Sequence, residues 1–198
     1  MKKTLLSLLL IPFFGISQNQ FSFGFDGTTA AMLGSGWQST NQSSPSTTSL
    51  WTIASYTTPL TNPLFGSGNT TTVPVGQAGG NNSFALVNFT STSGAGTISN
   101  WLITPDITVQ NGDVVTFYSR KGTDGTTDYP DRLELRMSTA TTTVIPSGGS
   151  AGLGSFTTVC TTVNPSLLGG FVYPKAWTQY SYTVSGLSGP TSVKFAFL

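Results

Sequence analysis

The sequence predicts an all-β protein, a two-sheet antiparallel sandwich formed by a single domain over residues 18–198. Three observations carry that prediction. No twelve-residue window keeps apolar residues at i, i+3, i+4 and i+7 without interruption by Gly, Pro or a β-branched residue, so helical periodicity is nearly absent. Short β-branched and aromatic runs recur instead, separated by Gly, Pro, Asn and Ser clusters at the spacing of antiparallel strands. Several of these runs alternate, leaving apolar faces that need a second sheet to cover them.

Met1-Lys2-Lys3 followed by the apolar run Leu5 to Ile16 reads as a signal peptide over residues 1–17, too short for the roughly 20 residues of a membrane span. Gly15 and Ser17 sit at the −3 and −1 positions for cleavage before Gln18, and no cysteine follows to carry a lipid anchor. The expected location is therefore secreted or extracellular, with no transmembrane span.

Strands are expected at Ser22 to Phe25, Trp51 to Ala54, Ser83 to Asn88, Asn100 to Ile103, Asp113 to Arg120, Arg132 to Ser138, Phe156 to Val163, Trp177 to Val184 and Ser192 to Leu198. The stretches Ser39 to Ser49 and Gly66 to Asn82, rich in Ser, Thr, Gly and Asn, read as long surface loops. Asn111-Gly112 between Ile107-Thr108-Val109 and Val114 to Tyr118 is a strong hairpin signal and brings those two segments together. Arg132 to Met137 alternates, with Leu133, Leu135 and Met137 on a buried face and Arg132, Glu134 and Arg136 on a wet one. Val193 to Leu198 reads as a strand in mid-course, so a C-terminally truncated domain is expected, with its final strand missing.

Composition removes whole classes of chemistry. There is no histidine, which excludes Ser-His-Asp and Cys-His catalysis and every His-containing zinc or haem site. A single cysteine, Cys160, excludes an intrachain disulfide; within a β-branched run it reads as a small buried apolar residue. A net charge of +1 gives no basic surface for nucleic acid. Carboxylate-pair glycoside hydrolysis is the one common acid–base chemistry left. Asp131 and Glu134, at i and i+3 of an extended strand, point to opposite faces, and Glu134 between Arg132 and Arg136 reads as a member of cross-strand ion pairs. No enzyme is expected.

Charge concentrates between Asp106 and Arg136. Asp124, Asp128 and Asp131 lie within eight positions among turn residues, a pattern able to supply several of the six to eight oxygen ligands of calcium. The alternative is a solvated turn whose charges are met by Arg120, Lys121 and Arg132. Among the aromatics, Trp101 and Trp177 are expected in the core, while Trp51, Tyr56 and Tyr129 are free to stack on a sugar ring.

Four stretches in order, Phe23-Gly24-Phe25-Asp26-Gly27 with Gly36-Trp37, Asn100-Trp101-Leu102-Ile103-Thr104-Pro105, Val115 to Arg120 with Asp131 to Ser138, and Ala176 to Tyr180 with Phe195-Ala196-Phe197, resemble the cleaved-adhesin and choice-of-anchor J domains of secreted bacterial surface proteins. The resemblance implies a MAM-like jelly roll and a non-catalytic adhesion module that binds an extracellular protein or glycan. It also implies attachment through a tail absent from this chain, of the type IX secretion kind, and a structural calcium ion held in part by Asp26. The alternative at Asp26 is a cap on the Asp-Gly turn. A second function stays open, a carbohydrate-binding module of a larger secreted enzyme.

Overall fold

The computed structural model describes residues 21–58, 73–122 and 128–198. In chain order these carry α1 (Thr29–Gly34), β1 (Gln38–Asn41), β2 (Ser44–Ser46), β3 (Thr52–Ile53), β4 (Ala85–Leu86), β5 (Thr92–Thr97) and β6 (Asn100–Ile103). There follow β7 (Ile107–Val109), β8 (Val114–Ser119), β9 (Leu133–Ser138), β10 (Thr158–Val163), β11 (Thr178–Thr183) and β12 (Thr191–Phe197). The larger sheet runs β1-β6-β12-β9-β10, with β7 on the early part of β12, and every pairing is antiparallel. β8 and β11 form a second sheet, while β2 with β5 and β3 with β4 make two small ribbons.

The two principal sheets pack face to face. Register places Leu102, Phe197 and Leu135 side by side across the larger sheet, and Val115 beside Tyr182 and Phe117 beside Tyr180 on the other. Phe117 joins the layers: its ring stacks on Tyr180 at 5.5 Å and meets Phe197 edge-on at 5.1 Å. Val109, Leu135, Met137, Val184, Val193 and Phe195 fill the space between. Alternation therefore selects the inner face as the sequence predicts, because a period of two puts every second side chain of an extended strand into that layer.

The opposite face of the larger sheet is also covered. Ile103, Ala196 and Arg136 are register neighbours on it, and Phe156 packs there against Trp101 at 5.9 Å, with Ile145 and Leu153 beside them. This corrects the expected wet face of β9. Glu134 is only 8% exposed, since the chain between β9 and β10 folds across it and Arg136 Nη1 donates to the Phe156 carbonyl at 3.1 Å. The ion pairs also run along the strand instead of across it, Glu134 meeting Arg136 at 2.6 Å and Arg132 at 3.5 Å.

The Asn111-Gly112 turn forms, with Gly112 at φ 95° and Asp113 N–H donating to Gln110. It is not a hairpin. β7 pairs with β12 and β8 with β11, so the turn carries the chain from one sheet to the other, fastened by two hydrogen bonds between the Asn111 side chain and the backbone of Leu187. The expected strand Ser22 to Phe25 is absent: Phe25 takes φ 57°, Phe23 and Phe25 pack their rings on Trp37, and only an isolated Asp26–Ser83 bridge remains. The expected loop Ser39 to Ser49 contains β2 and most of β1, edge segments held by main-chain bonds and by Asn41, whose Nδ2 donates to Ser91 O at 2.7 Å. β5 and the single-turn-and-a-half α1, capped by Thr28 Oγ1, add to what periodicity leaves out. Among the described residues, no helix is long and apolar enough to cross a membrane.

Candidate binding surface

β9 and β10 are paired, with Leu133 opposite Val163, so the chain entering β9 and the chain leaving β10 emerge side by side. Residues 128–132 and 164–173 are thereby neighbours, and buried polar groups lock them together. Asn164, itself buried, donates from Nδ2 to the carbonyls of Asp131 (2.9 Å) and Leu168 (3.0 Å) and accepts the Leu168 N–H at Oδ1 (2.9 Å). Asp128 accepts the Phe171 N–H at Oδ2 (2.7 Å) and the Lys121 ammonium at Oδ1. Lys121 also donates to the Tyr129 carbonyl and lies 3.3 Å from Asp131 Oδ2, while its own N–H donates to the Pro174 carbonyl. The Lys121 and Asp128 side chains are only 5% and 7% exposed. Beneath them, the Tyr173 hydroxyl and Ser119 Oγ are 2.5 Å apart, and burial pushes the Tyr173 phenol above its ordinary pKa despite that bond.

Burial alone would raise the Asp128 pKa; the Lys121 hydrogen bond, the Phe171 and Gly170 amides and the Lys121 charge together outweigh it and hold the carboxyl below its ordinary value. These anchors sustain an unusual backbone. Asn164, Leu167 and Phe171 all have positive φ, at 51°, 49° and 61°. For Leu and Phe that region costs of order 1–3 kcal/mol each and persists only where the surroundings enforce it. The enforced shape turns apolar side chains to solvent: Leu167 is 49% exposed, Leu168 54%, Val172 51% and, on the neighbouring segment, Tyr129 65%.

The residues singled out for calcium separate into two places. Asp128 and Asp131 come together, but on the Lys121 ammonium, which occupies the position between them that a metal ion would need. Of the three cations named in the alternative reading, Lys121 meets Asp128 and Asp131, while Arg132 pairs with Glu134 and Arg120 lies over the Trp177 ring. Asp124 lies outside the described residues. Asp26 is exposed and accepts a 2.5 Å hydrogen bond from Ser83 Oγ, on a different part of the fold from β9. Among the described residues, no three His, Cys, Asp or Glu side chains gather as a metal-holding group.

The aromatic candidates also part company. Trp51 packs its ring between two core clusters and donates from Nε1 to the Asn100 carbonyl at 3.1 Å. Tyr56 stacks on Phe84 at 6.2 Å, in a row that continues edge-on to Trp177 and the Arg120 guanidinium, and burial raises its pKa. Only Tyr129 stands in solvent. Trp101 is fully buried and Trp177 half-buried, near the expectation for both.

An open cleft of about 540 Å³ lies at the end of the sandwich, lined by Met137, Thr139, Thr158, Ser185, Ser188 and Thr191 among others, with no titratable side chain in its wall. It offers hydrogen bonds and no acid–base group. The 164–173 loop is what reading the sequence missed. Asn164-Pro165 and Gly169-Gly170, both turn signals, bracket Leu167-Leu168 and were the available clue to apolar residues outside a strand. Comparisons with known protein families, curated proteins and solved structures returned no match.

Proposed function

We propose that this chain is an exported, non-catalytic binding module of a bacterial surface or secreted protein, a jelly-roll adhesion domain of the cleaved-adhesin and choice-of-anchor J kind that its sequence resembles. The observation that carries the reading is the 164–173 loop, which holds Leu167, Leu168 and Val172 in solvent on a strained backbone pinned by Asn164 and the buried Lys121–Asp128 pair. Apolar side chains held rigidly outward lower the ordering cost of binding, and loops on a sheet scaffold are where such contacts are built. Glu134, the carboxylate best placed by sequence for acid–base work, is clamped between Arg132 and Arg136, an arrangement that supports a structural role.

The test is retention of the purified chain on panels of extracellular proteins and polysaccharides. Leu168→Asp abolishes retention if the loop is the contact. Retention on a glycan that survives Leu168→Asp and high salt but is lost in Tyr129→Ala favours the carbohydrate-binding module instead, since Tyr129 is the one exposed member of that aromatic set. Calcium belongs to the same proposal through Asp26; an unchanged melting temperature between calcium and chelator removes it.

A further inference from the structure

We propose that the open cleft at the end of the sandwich is a binding site for a neutral saccharide, separate from the 164–173 loop. β9 and β10 place the two surfaces at opposite ends of one strand pair: the loop adjoins Leu133 opposite Val163, and the cleft adjoins Met137 opposite Thr158. At about 3.3 Å per residue, Leu133 and Met137 lie about 13 Å apart along the strand. The inference goes beyond the binding reading above and does not depend on it.

The cleft has an apolar base and a hydroxylic rim. Met137, only 3% exposed, belongs to the layer between the sheets, and Leu187 packs on the same cluster. Thr139 and Thr158 rise on one side, Ser185 and Ser188 on the chain between β11 and β12. Among the described residues, none of these four side-chain hydroxyls is engaged in a hydrogen bond, so each keeps a donor and an acceptor for a ligand. No charged side chain stands in the wall, so an ionic ligand would shed water there without gaining a partner. What fits is a molecule whose hydroxyls both donate and accept around a hydrocarbon ring, the chemistry of an uncharged sugar. The volume, about 540 Å³, falls within the usual range of small-molecule sites.

The wall is set before a ligand arrives. Asn111 holds Leu187 by two hydrogen bonds, at 2.7 and 2.9 Å, and Thr191 Oγ1 donates to the Gly189 carbonyl at 2.9 Å. Both ends of the 187–191 turn are thereby fixed, which leaves little ordering for binding to oppose.

Titration of the nitrogen-15-labelled chain with neutral hexasaccharides of glucose, mannose, galactose and N-acetylglucosamine tests this, with a galacturonic acid oligomer as the charged counterpart. At least one neutral sugar is expected to shift the amides of Thr139, Thr158, Leu187 and Ser188, and the galacturonate none. Thr158→Ala weakens that binding about two- to tenfold, the scale of one net hydrogen bond. Thr158→Trp fills the cleft and abolishes it, at an exposed strand position that accepts an aromatic side chain. Leu168→Asp and Tyr129→Ala leave it unchanged. Circular dichroism establishes that every variant is folded.

Cleft amides that no neutral sugar shifts at about 10 mM overturn the proposal. Binding that survives Thr158→Trp, or that prefers the galacturonate, overturns it as well. Shifts confined to Tyr129 and residues 164–173 overturn the cleft and assign the sugar to the loop. Saturable cleft shifts without any Leu168-dependent retention support this site and overturn the loop reading; the reverse pair of results overturns this site and leaves the loop reading standing.

Discussion

Phe156→Ala tests whether the larger sheet is covered on both faces. Phe156 is fully buried, its ring 5.9 Å from Trp101 and in the same cluster as Ile103 and Ala196. Truncation of a buried Phe costs about 3–5 kcal/mol, the transfer of the ring plus the cavity it leaves. The segment is held independently of the ring, by Ser155 Oγ with Ser138 at 2.8 Å and by the Ser155 N–H with the Val144 carbonyl, which limits collapse into the cavity. The expected loss is therefore in the upper half, about 4 kcal/mol. At roughly 2–4 °C per kcal/mol for a chain of this length, the melting temperature falls by about 8–16 °C. Urea unfolding followed by tryptophan fluorescence reads the free energy, and a thermal melt reads the temperature. If the outer face were wet, Phe156 would be a surface residue and the change would stay within about 0.5 kcal/mol; a loss below about 1 kcal/mol refutes the covering layer.

Other expectations follow from the same contacts. Glu134→Gln leaves Arg136 without its buried partner and is expected to destabilise by roughly 3 kcal/mol in the same urea experiment. Because the folded Asp128 pKa lies below its ordinary value of 3.8, the stability it contributes is present above that value and is lost as pH falls through the folded pKa; Asp128→Asn should flatten this acid limb in a pH series of thermal melts. Burial pushes the Cys160 thiol up to about 11, outweighing Tyr182 and Arg136, so a thiol reagent at pH 8 should label native protein slowly and unfolded protein fast. Equal rates in the two states would contradict that burial.

The strands that form the sandwich were legible because their side chains declare a face. Leu133, Leu135 and Met137, or Tyr180 and Tyr182, alternate with polar residues, and the sheet pairs them accordingly. β1 and β2 gave no such sign: Gln38–Asn41 and Ser44–Ser46 are polar edge segments whose pairing draws on main-chain bonds, and those are silent in the sequence. Asn111-Gly112 signalled a turn correctly, yet a turn does not say whether its flanks pair with each other or with distant strands, as β7 does with β12 and β8 with β11. The β9 face misled because Arg and Glu read as wet until a distant segment covers them. At the site, Asp128 and Asp131 were visible as a cluster, but their shared Lys121 was read as one of several surface cations. The left-handed conformations of Leu167 and Phe171 are held by the Asn164 side chain, which bonds Leu168 four residues on, and by Asp128, which reaches Phe171 across 43 residues; the second is a long-range bond that no local preference predicts.

The central claim is that the 164–173 loop is a rigid, pinned surface. Amide hydrogen exchange at Leu168 and Phe171 tests it most directly, because these N–H groups donate to Asn164 Oδ1 and Asp128 Oδ2. Both amides are expected to exchange at least about tenfold slower than in a free peptide, and Asn164→Ala to release Leu168. Exchange of both at free-peptide rates in the wild type would contradict the account, since a loop that opens so readily presents no fixed surface to a partner.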